Sequence, residues 1–325
     1  MLRIIRILFI CILFCTTISS TFSLNSLRHF HIVTSFSILK DWIDILIKDI
    51  PKDVFVIETI GLVPVQSDPH VYQPTPKDVR NIACADLIIV LGLTFDGWID
   101  RLINASETKA TVLRVAHNVE ARLMPAADPH VWHDVQKTRL MVQNLKEALC
   151  KMLPEAADTI QKNAMLYDIQ LVELDKSIKE KVAALPMNRR KIITTHDAFH
   201  YYGAAYGFSF CAPVGLSTEA EADSKSVALL IKQIKDEKTT AIFFENLANR
   251  SIVKQIAEET GVVISEKNVL YADSLSEKTG SAANYIAMMQ HNTNLIVNSL
   301  SVYVKNQPVY NSRKNRNTQL KTSQR

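Results

Sequence analysis

The sequence predicts an α/β protein of two lobes, in which mostly parallel central sheets are flanked by helices and one long interlobe helix bridges the lobes. Three observations lead to this fold class. Short β-rich runs alternate with amphipathic helical segments in both halves of the chain. A helical stretch without glycine lies between these halves. With 325 residues and 47% hydrophobic residues, the chain is long and apolar enough to bury a sizeable core.

The first half begins with a β-rich run and continues with apolar residues at three- and four-residue steps from Leu39 to Ile50, the pattern of an amphipathic helix. Thr75-Pro76 predicts a second helix, because a capping residue is followed by proline in the first turn. Strands are predicted at His31–Phe36, Val54–Glu58, Asp86–Leu91 and Thr111–Ala116.

The middle of the chain, from Asp134 to about Leu185, contains Pro154 as its one proline and no glycine. Apolar residues keep a helical spacing from Leu166 to Val182, so we expect one long helix from about Glu155 to Ala184. Beyond it the alternation resumes. We expect strands at Lys191–Thr195, Thr240–Phe244 and Val269–Ala272, and helices at Asp197–Tyr206, Ala228–Ile234, Asn249–Thr260 and 280–304.

Both ends of the chain are expected to be peripheral. Arg3 and Arg6 precede an apolar run from Ile7 to Cys15 and a segment of small polar residues, which is the layout of a secretory signal peptide. Neither Cys11 nor Cys15 follows a small residue, so we expect a soluble exported protein without a lipid anchor, with an uncleaved N-terminal anchor as the alternative. The predicted divisions are a signal peptide (1–23), an N-terminal lobe (24–154), a linking helix (155–185), a C-terminal lobe (186–305) and a basic disordered tail (306–325).

Charge and cysteine content exclude two classes of function. The formal net charge of +4 arises from the cationic ends, and the body between them is slightly acidic, which argues against nucleic-acid binding. Cys84, Cys150 and Cys211 lie far apart without a Cys-x-x-Cys pair, so neither a disulfide framework nor a thiolate zinc site is indicated. Cys84 and Cys150 are expected to be buried as small apolar residues.

The tripeptide Asp-Pro-His occurs twice, at 68–70 and 128–130. Proline stiffens each loop, and each tripeptide follows a predicted strand, where α/β sheets bind ligands. His196 follows the predicted strand at 191–195, and Asp273 follows the one at 269–272. With two residues from each lobe, His70, His130, His196 and Asp273 form a set of three imidazoles and one carboxylate suited to a divalent metal ion.

Four segments, DPHVYQPTPKDV, DPHVWHDV, TTHDAFHYYGAAYGF and YADSLSEKTGSAANYIAMM, resemble the zinc- and manganese-binding solute-binding proteins of bacterial ABC importers. The resemblance covers nearly the whole mature chain and implies His70, His130, His196 and Asp273 as ligands. It also implies a non-enzymatic periplasmic carrier that delivers the ion to a membrane permease driven by an ATPase. We expect a monomer.

The chain departs from the family pattern at two histidines. His133 stands where the family usually has an apolar residue; we expect it partly exposed at a helix start, with a surrogate ligand or a gate as alternatives. His200 follows His196 by four residues, which would place both on one helix face, as in zinc hydrolases. Because Asp197 replaces the general-base glutamate of those enzymes, we expect His200 to support the metal site or to lie at the surface.

Three carboxylates are candidates for supporting the ligands. Glu245 either orients a ligand imidazole or caps the following helix, and both remain open. Asp68 and Asp128 are expected to brace their loops through hydrogen bonds to the backbone.

The metal itself is left between Zn²⁺ and Mn²⁺. Three histidines favour zinc, but segment 116–128 lacks the His-rich loop of dedicated zinc carriers. A secreted zinc-dependent hydrolase and a carrier for a chelated ligand such as haem or a siderophore are the alternative functions; the latter needs a wider cleft lined with Tyr, Trp or Arg, which the four motifs do not suggest.

Overall fold

A computed structural model describes residues 27–124, 126–219, 222–237, 239, 241–262, 264 and 267–305. The predicted signal peptide over residues 1–23 and the predicted tail over 306–325 lie outside the described residues. In the part that is described, none of the helices combines the length and apolar character needed to cross a membrane.

The first half of the chain folds around a four-stranded parallel sheet in the order β2-β1-β3-β4. Register places Arg28 opposite Phe55 and Ile32 opposite Leu87. All four side chains of the third strand are buried, which accounts for its uninterrupted apolar sequence. The strands are β1 (Arg28–Thr34), β2 (Phe55–Gly61), β3 (Leu87–Val90) and β4 (Thr111–Arg114).

Three helices accompany this sheet in the first half of the chain: α1 (Ser37–Leu46), α2 (Pro76–Ala83) and α3 (Gly97–Ser106). The predicted start of α2 is confirmed. The Thr75 hydroxyl accepts a hydrogen bond from the Asp78 amide while the Asp78 carboxylate accepts one from the Thr75 amide, so two otherwise unpaired donors are satisfied. A small antiparallel hairpin, β5 (Leu123–Met124) and β6 (Ala126–Ala127), precedes the second Asp-Pro-His.

The middle segment forms two helices, α4 (Val135–Met152) and α5 (Ala157–Ala183), separated by a 3₁₀ turn at Pro154–Ala156. The 27 residues of α5 span about 40 Å at 1.5 Å per residue. This helix packs against α1 and α4 from the first half and against the C-terminal helix Tyr285–Lys305 from the second. The long helix is therefore confirmed, whereas the residue limits of the lobes stay predictions.

The second half contains two small parallel sheets, one of order β8-β7-β9 and one formed by β10 and β11. The predicted strand at 240–244 is divided at Phe243, and the helix predicted from Asp197 begins only at His200. The elements are β7 (Lys191–Ile193), α6 (His200–Tyr206), β8 (Ser209–Cys211), α7 (Ser224–Glu237), β9 (Ala241–Ile242), β10 (Phe244–Glu245), α8 (Ser251–Thr260), β11 (Val269–Leu270) and α9 (Tyr285–Lys305).

The predicted fold class, with mostly parallel sheets flanked by helices in each half, is confirmed. A large apolar core extends from Phe30 in β1 to Leu300 in α9 and includes the buried face of α5. The expectation for the cysteines is wrong at Cys84, which is exposed, while Cys150 is partly buried. Cys84 is the C-terminal cap of α2, one residue beyond the last helical residue.

Candidate metal centre

Four side chains from distant parts of the sequence meet at one point between the two sets of sheets: His70, His130, His196 and Asp273. One donor atom from each lies within 4.8 Å of all the others. Their side chains are at most 5% exposed. The cluster is thus enclosed by protein rather than lying at the surface.

The two Asp-Pro-His loops have the same local structure. Asp68 Oδ1 accepts a hydrogen bond from the His70 amide at 2.9 Å, and Asp128 Oδ1 accepts one from the His130 amide at 3.0 Å. Each aspartate therefore closes a turn that presents the histidine two residues later. The expectation that Asp68 and Asp128 form such bonds agrees with these contacts.

The two histidines differ in their support. Asp128 Oδ1 also lies 2.8 Å from His130 Nδ1, while the ring of His70 packs edge-on against Phe95 with centroids 4.7 Å apart. An Asp128 carboxylate that accepts from Nδ1 leaves the Nε2 lone pair of His130 available to a metal ion.

His196 lies three residues beyond the end of β7 and is held by Glu245 at the end of β10. One carboxylate oxygen of Glu245 accepts hydrogen bonds from the amides of Thr195 and His196, at 2.7 and 2.9 Å, and the other accepts one from His196 Nδ1. The alternative that Glu245 caps the next helix is wrong, since α8 begins at Ser251 and the carboxylate faces His196. This pairing directs His196 Nε2 towards the cluster.

Asp273 is placed by the segment that follows β11. Trp132 donates from its indole nitrogen to the Ala272 carbonyl at 2.9 Å, and this bond links the second Asp-Pro-His loop to the backbone before Asp273. On the other side, Ser274 accepts a hydrogen bond from the Gln66 amide at 2.9 Å. Both contacts join the two halves of the chain at the metal centre.

The charges in the cluster determine which groups carry protons when no metal ion is bound. Burial lowers the pKa of His70 to about 3, so this ring is neutral at ordinary pH. Burial would also lower the pKa of His196, but Glu245 and Asp273 together raise it well above its usual value. The pKa of Asp273 is below its usual range, because the adjacent imidazoles outweigh the effect of burial.

The structure contradicts the expectation for His133. Its side chain is fully buried in a 3₁₀ turn and packs against Phe199, with ring centroids 4.5 Å apart. Within the described part of the chain neither ring nitrogen has a hydrogen-bond partner, and burial lowers the pKa of His133 to about 3. Phe199, from the second half of the chain, packs against the His133 ring, which the sequence led us to expect partly exposed.

His200 and His196 do not share a helix face, because α6 begins at His200 and His196 lies before it. The hydrolase-like i, i+4 arrangement is therefore absent at these two residues. His200 instead faces Asp128, with Nδ1 3.7 Å from Asp128 Oδ2.

Two cavities of about 560 Å³ each are lined in part by residues of loop 214–219. One is lined by His70 and the other by His196. In the lining of the second cavity, Thr218 donates a hydrogen bond to Asp68 Oδ2 at 2.7 Å, a contact across the two halves that the sequence did not indicate. Contrary to the sequence expectation, aromatic and cationic residues do line the first cavity, namely Tyr72, Trp98 and Arg101.

Comparison with known proteins identifies the family. The profile described as "ZnuA: Zinc-uptake complex component A periplasmic" matches residues 32–299. The chain belongs to this family. The resemblance inferred from the four motifs is thereby confirmed.

Relatives within the family carry names for different metals. The manganese-binding lipoprotein MntA of Halalkalibacterium halodurans is 29% identical over 273 residues, covering 83% of this chain and 88% of the relative. The zinc-binding protein TroA of Treponema pallidum is 32% identical over 249 residues, covering 74% and 81%. The name of the first relative contradicts the expectation that a lipid anchor is absent.

A solved structure supports the fold assignment. The periplasmic zinc binding protein TroA from Treponema pallidum superimposes with a TM-score of 0.77 at 28% sequence identity, covering 84% of this chain and 99% of that chain. The family is one of metal-binding solute-binding proteins, which agrees with a non-enzymatic role and gives no support to the hydrolase alternative.

Proposed function

We propose that this protein is an extracytoplasmic solute-binding protein that captures a divalent metal ion, Zn²⁺ or Mn²⁺, and delivers it to an ABC importer. The partner is a membrane permease with its ATPase, and the carrier acts as a monomer. The observation that carries the proposal is the enclosed group of four donor atoms from His70, His130, His196 and Asp273. Membership of a metal-uptake family supports the same function.

The distances within the cluster suit a tetrahedral ion. Zinc–nitrogen bonds of about 2.0–2.1 Å place the donors of a tetrahedron about 3.3–3.4 Å apart. His130 Nε2 lies 3.3 Å from the Nε2 atoms of both His70 and His196. The Asp273 carboxylate lies 3.3–3.8 Å from the same three nitrogens. Only small movements would bring all four onto one ion.

The donor set favours zinc in solution. Nitrogen-rich sites bind Zn²⁺ more tightly than Mn²⁺ in the Irving–Williams order. The Asp273 carboxylate is a hard oxygen donor that suits manganese, and the relatives include carriers named for either ion. We therefore propose tighter binding of Zn²⁺ by the purified protein, whichever ion the cell imports.

Release of the ion requires the cluster to separate. His70 and His130 belong to the first half, and His196 and Asp273 to the second. Since α5 contacts elements of both halves, we propose a small tilt about this helix rather than a wide hinge. In this movement His196 and Asp273 leave His70 and His130.

Calorimetric titration of metal-stripped protein with Zn²⁺ and with Mn²⁺ tests the proposal, beside His196→Ala. We expect one-to-one binding that His196→Ala loses, whereas His117→Ala, at an exposed histidine outside the cluster, retains it. If neither ion binds the unaltered protein, or if binding survives in His196→Ala, the assigned ligand set is wrong.

A further inference from the structure

The carboxylate that supports His130 is in contact with a second histidine. Oδ1 of Asp128 accepts from the amide of His130 and faces its Nδ1, whereas Oδ2 lies near His200. His200 Nδ1 lies 3.7 Å from this Oδ2. Both atoms are buried, and neither has a hydrogen-bond partner among the described residues. A small rotation of the His200 ring would join them.

The other nitrogen of His200 also faces a carboxylate. Nε2 lies 3.8 Å from Asp197 Oδ1, and the side chain of His200 is 14% exposed, so protons can reach it from solvent. A neutral imidazole has one donor and one acceptor, and it would turn a lone pair towards one of the two carboxylates. Only the imidazolium form donates to both Asp128 and Asp197.

Neighbouring residues hold the His200 ring beside Asp128. Tyr201, the next residue of α6, donates from its hydroxyl to the Asp128 carbonyl at 3.0 Å and accepts from the Arg122 amide at 2.8 Å. The positive charges on this side are Arg122, which opposes protonation of His200, and Lys137 of α4, which lies over the Tyr201 ring. The first turn of α6 is thus fixed against the second Asp-Pro-His loop.

We propose that His200 is a positioning residue of the metal centre, which acts through Asp128 on His130 and lowers the metal affinity when it is protonated. This inference rests on the proposed function. An imidazolium at Oδ2 draws the negative charge of Asp128 away from His130 and adds a positive charge near the ion. Neutral His200 brings no positive charge to Asp128, so the carboxylate keeps more of its negative charge on His130 and His130 is the stronger donor.

The neighbouring carboxylates determine the direction in which the pKa of His200 is shifted. Asp128 chiefly, with Asp197, raises the pKa of His200 above its usual value of 6.5, although burial opposes this change. His200 therefore carries its proton in mildly acidic solution and loses it as the pH rises through the raised pKa. The affinity for the metal ion should increase over the same pH interval.

His200→Asn tests this proposal, because the asparagine amide can donate from about the position of Nδ1 but carries no charge. The zinc affinity of metal-stripped protein is measured by competition with a chromophoric chelator between about pH 6 and pH 9. We expect the variant to bind Zn²⁺ about 5- to 10-fold more tightly than the unaltered protein at about pH 6, and equally at about pH 9. His29→Asn, at an exposed histidine of β1, should follow the unaltered protein at every pH.

A second measurement needs no variant. Because coupling between two sites is reciprocal, zinc loading should lower the pKa of His200, by about one unit for a tenfold effect on affinity. Titration of the His200 ring by NMR with and without Zn²⁺ measures this shift. Parallel affinity profiles, a weakening of the variant by one factor at all pH values, or an unchanged His200 pKa would each overturn the proposal. Failure of the unaltered protein to bind Zn²⁺ would instead refute the proposed function.

Discussion

Replacing Glu245 by glutamine should weaken metal binding without removing any ligand. The carboxylate of Glu245 accepts three hydrogen bonds, from the amides of Thr195 and His196 and from His196 Nδ1. Glu245 is 1% exposed, so these bonds are shielded from solvent. Glutamine has nearly the same shape, but one of its two terminal atoms is an NH₂ group. With its oxygen kept on the two amides, glutamine turns this NH₂ group towards His196 Nδ1.

The consequence follows from the tautomers of His196. An NH₂ group donates to Nδ1, so the neutral ring then carries its hydrogen on Nε2, the atom that faces the cluster. To bind a metal ion the ring must move that hydrogen back to Nδ1, against the NH₂ group. Loss of one hydrogen bond to a charged group is worth about 1.5–3 kcal/mol, and changes at such supporting residues typically weaken metal binding about 10- to 100-fold.

The assay is competition for Zn²⁺ between Glu245→Gln and a chelator of known affinity, with thermal unfolding measured on the same samples. Glu58→Gln, at an exposed glutamate of β2, is the matched control and should bind as the unaltered protein does. If Glu245→Gln unfolds cooperatively and its zinc affinity stays within about twofold of the original, the tautomer argument is wrong.

Three further results are expected. Zinc binding should release about one proton at neutral pH, because two buried carboxylates raise the pKa of His196 and its ring is protonated in the metal-free protein. The zinc affinity therefore falls as the pH is lowered. Calorimetry in buffers of different ionisation enthalpy counts the released proton. Thr218→Val, which removes the hydrogen bond to Asp68, should speed zinc transfer to a chelator about 3- to 10-fold in stopped-flow mixing, and an unchanged rate would show that this contact does not hold the halves together. Leu171→Ala, at a fully buried position of α5, should cost about 2–5 kcal/mol in denaturant unfolding, and a loss below 1 kcal/mol would contradict the packing described for this helix.

Local physical chemistry made much of the fold predictable. The start of α2 follows from a capping threonine and a proline, which act within one turn. The long helix over α5 follows from apolar spacing without glycine, and β3 from an uninterrupted apolar run. Element ends were less well predicted, as at Phe243, where a strand divides between two sheets. That division depends on how the sheets meet rather than on local propensity.

The sequence alone also indicated which residues carry donor atoms suited to a metal ion. Proline and aspartate shape each Asp-Pro-His loop over three residues, so the loops could be recognised from the chain. Only the tertiary structure decided which group supports each donor. Glu245 contacts His196 from 49 positions away, Thr218 reaches Asp68 across the two halves, and Phe199 packs against the buried His133. These contacts depend on how distant segments pack together, and no local spacing encodes that arrangement.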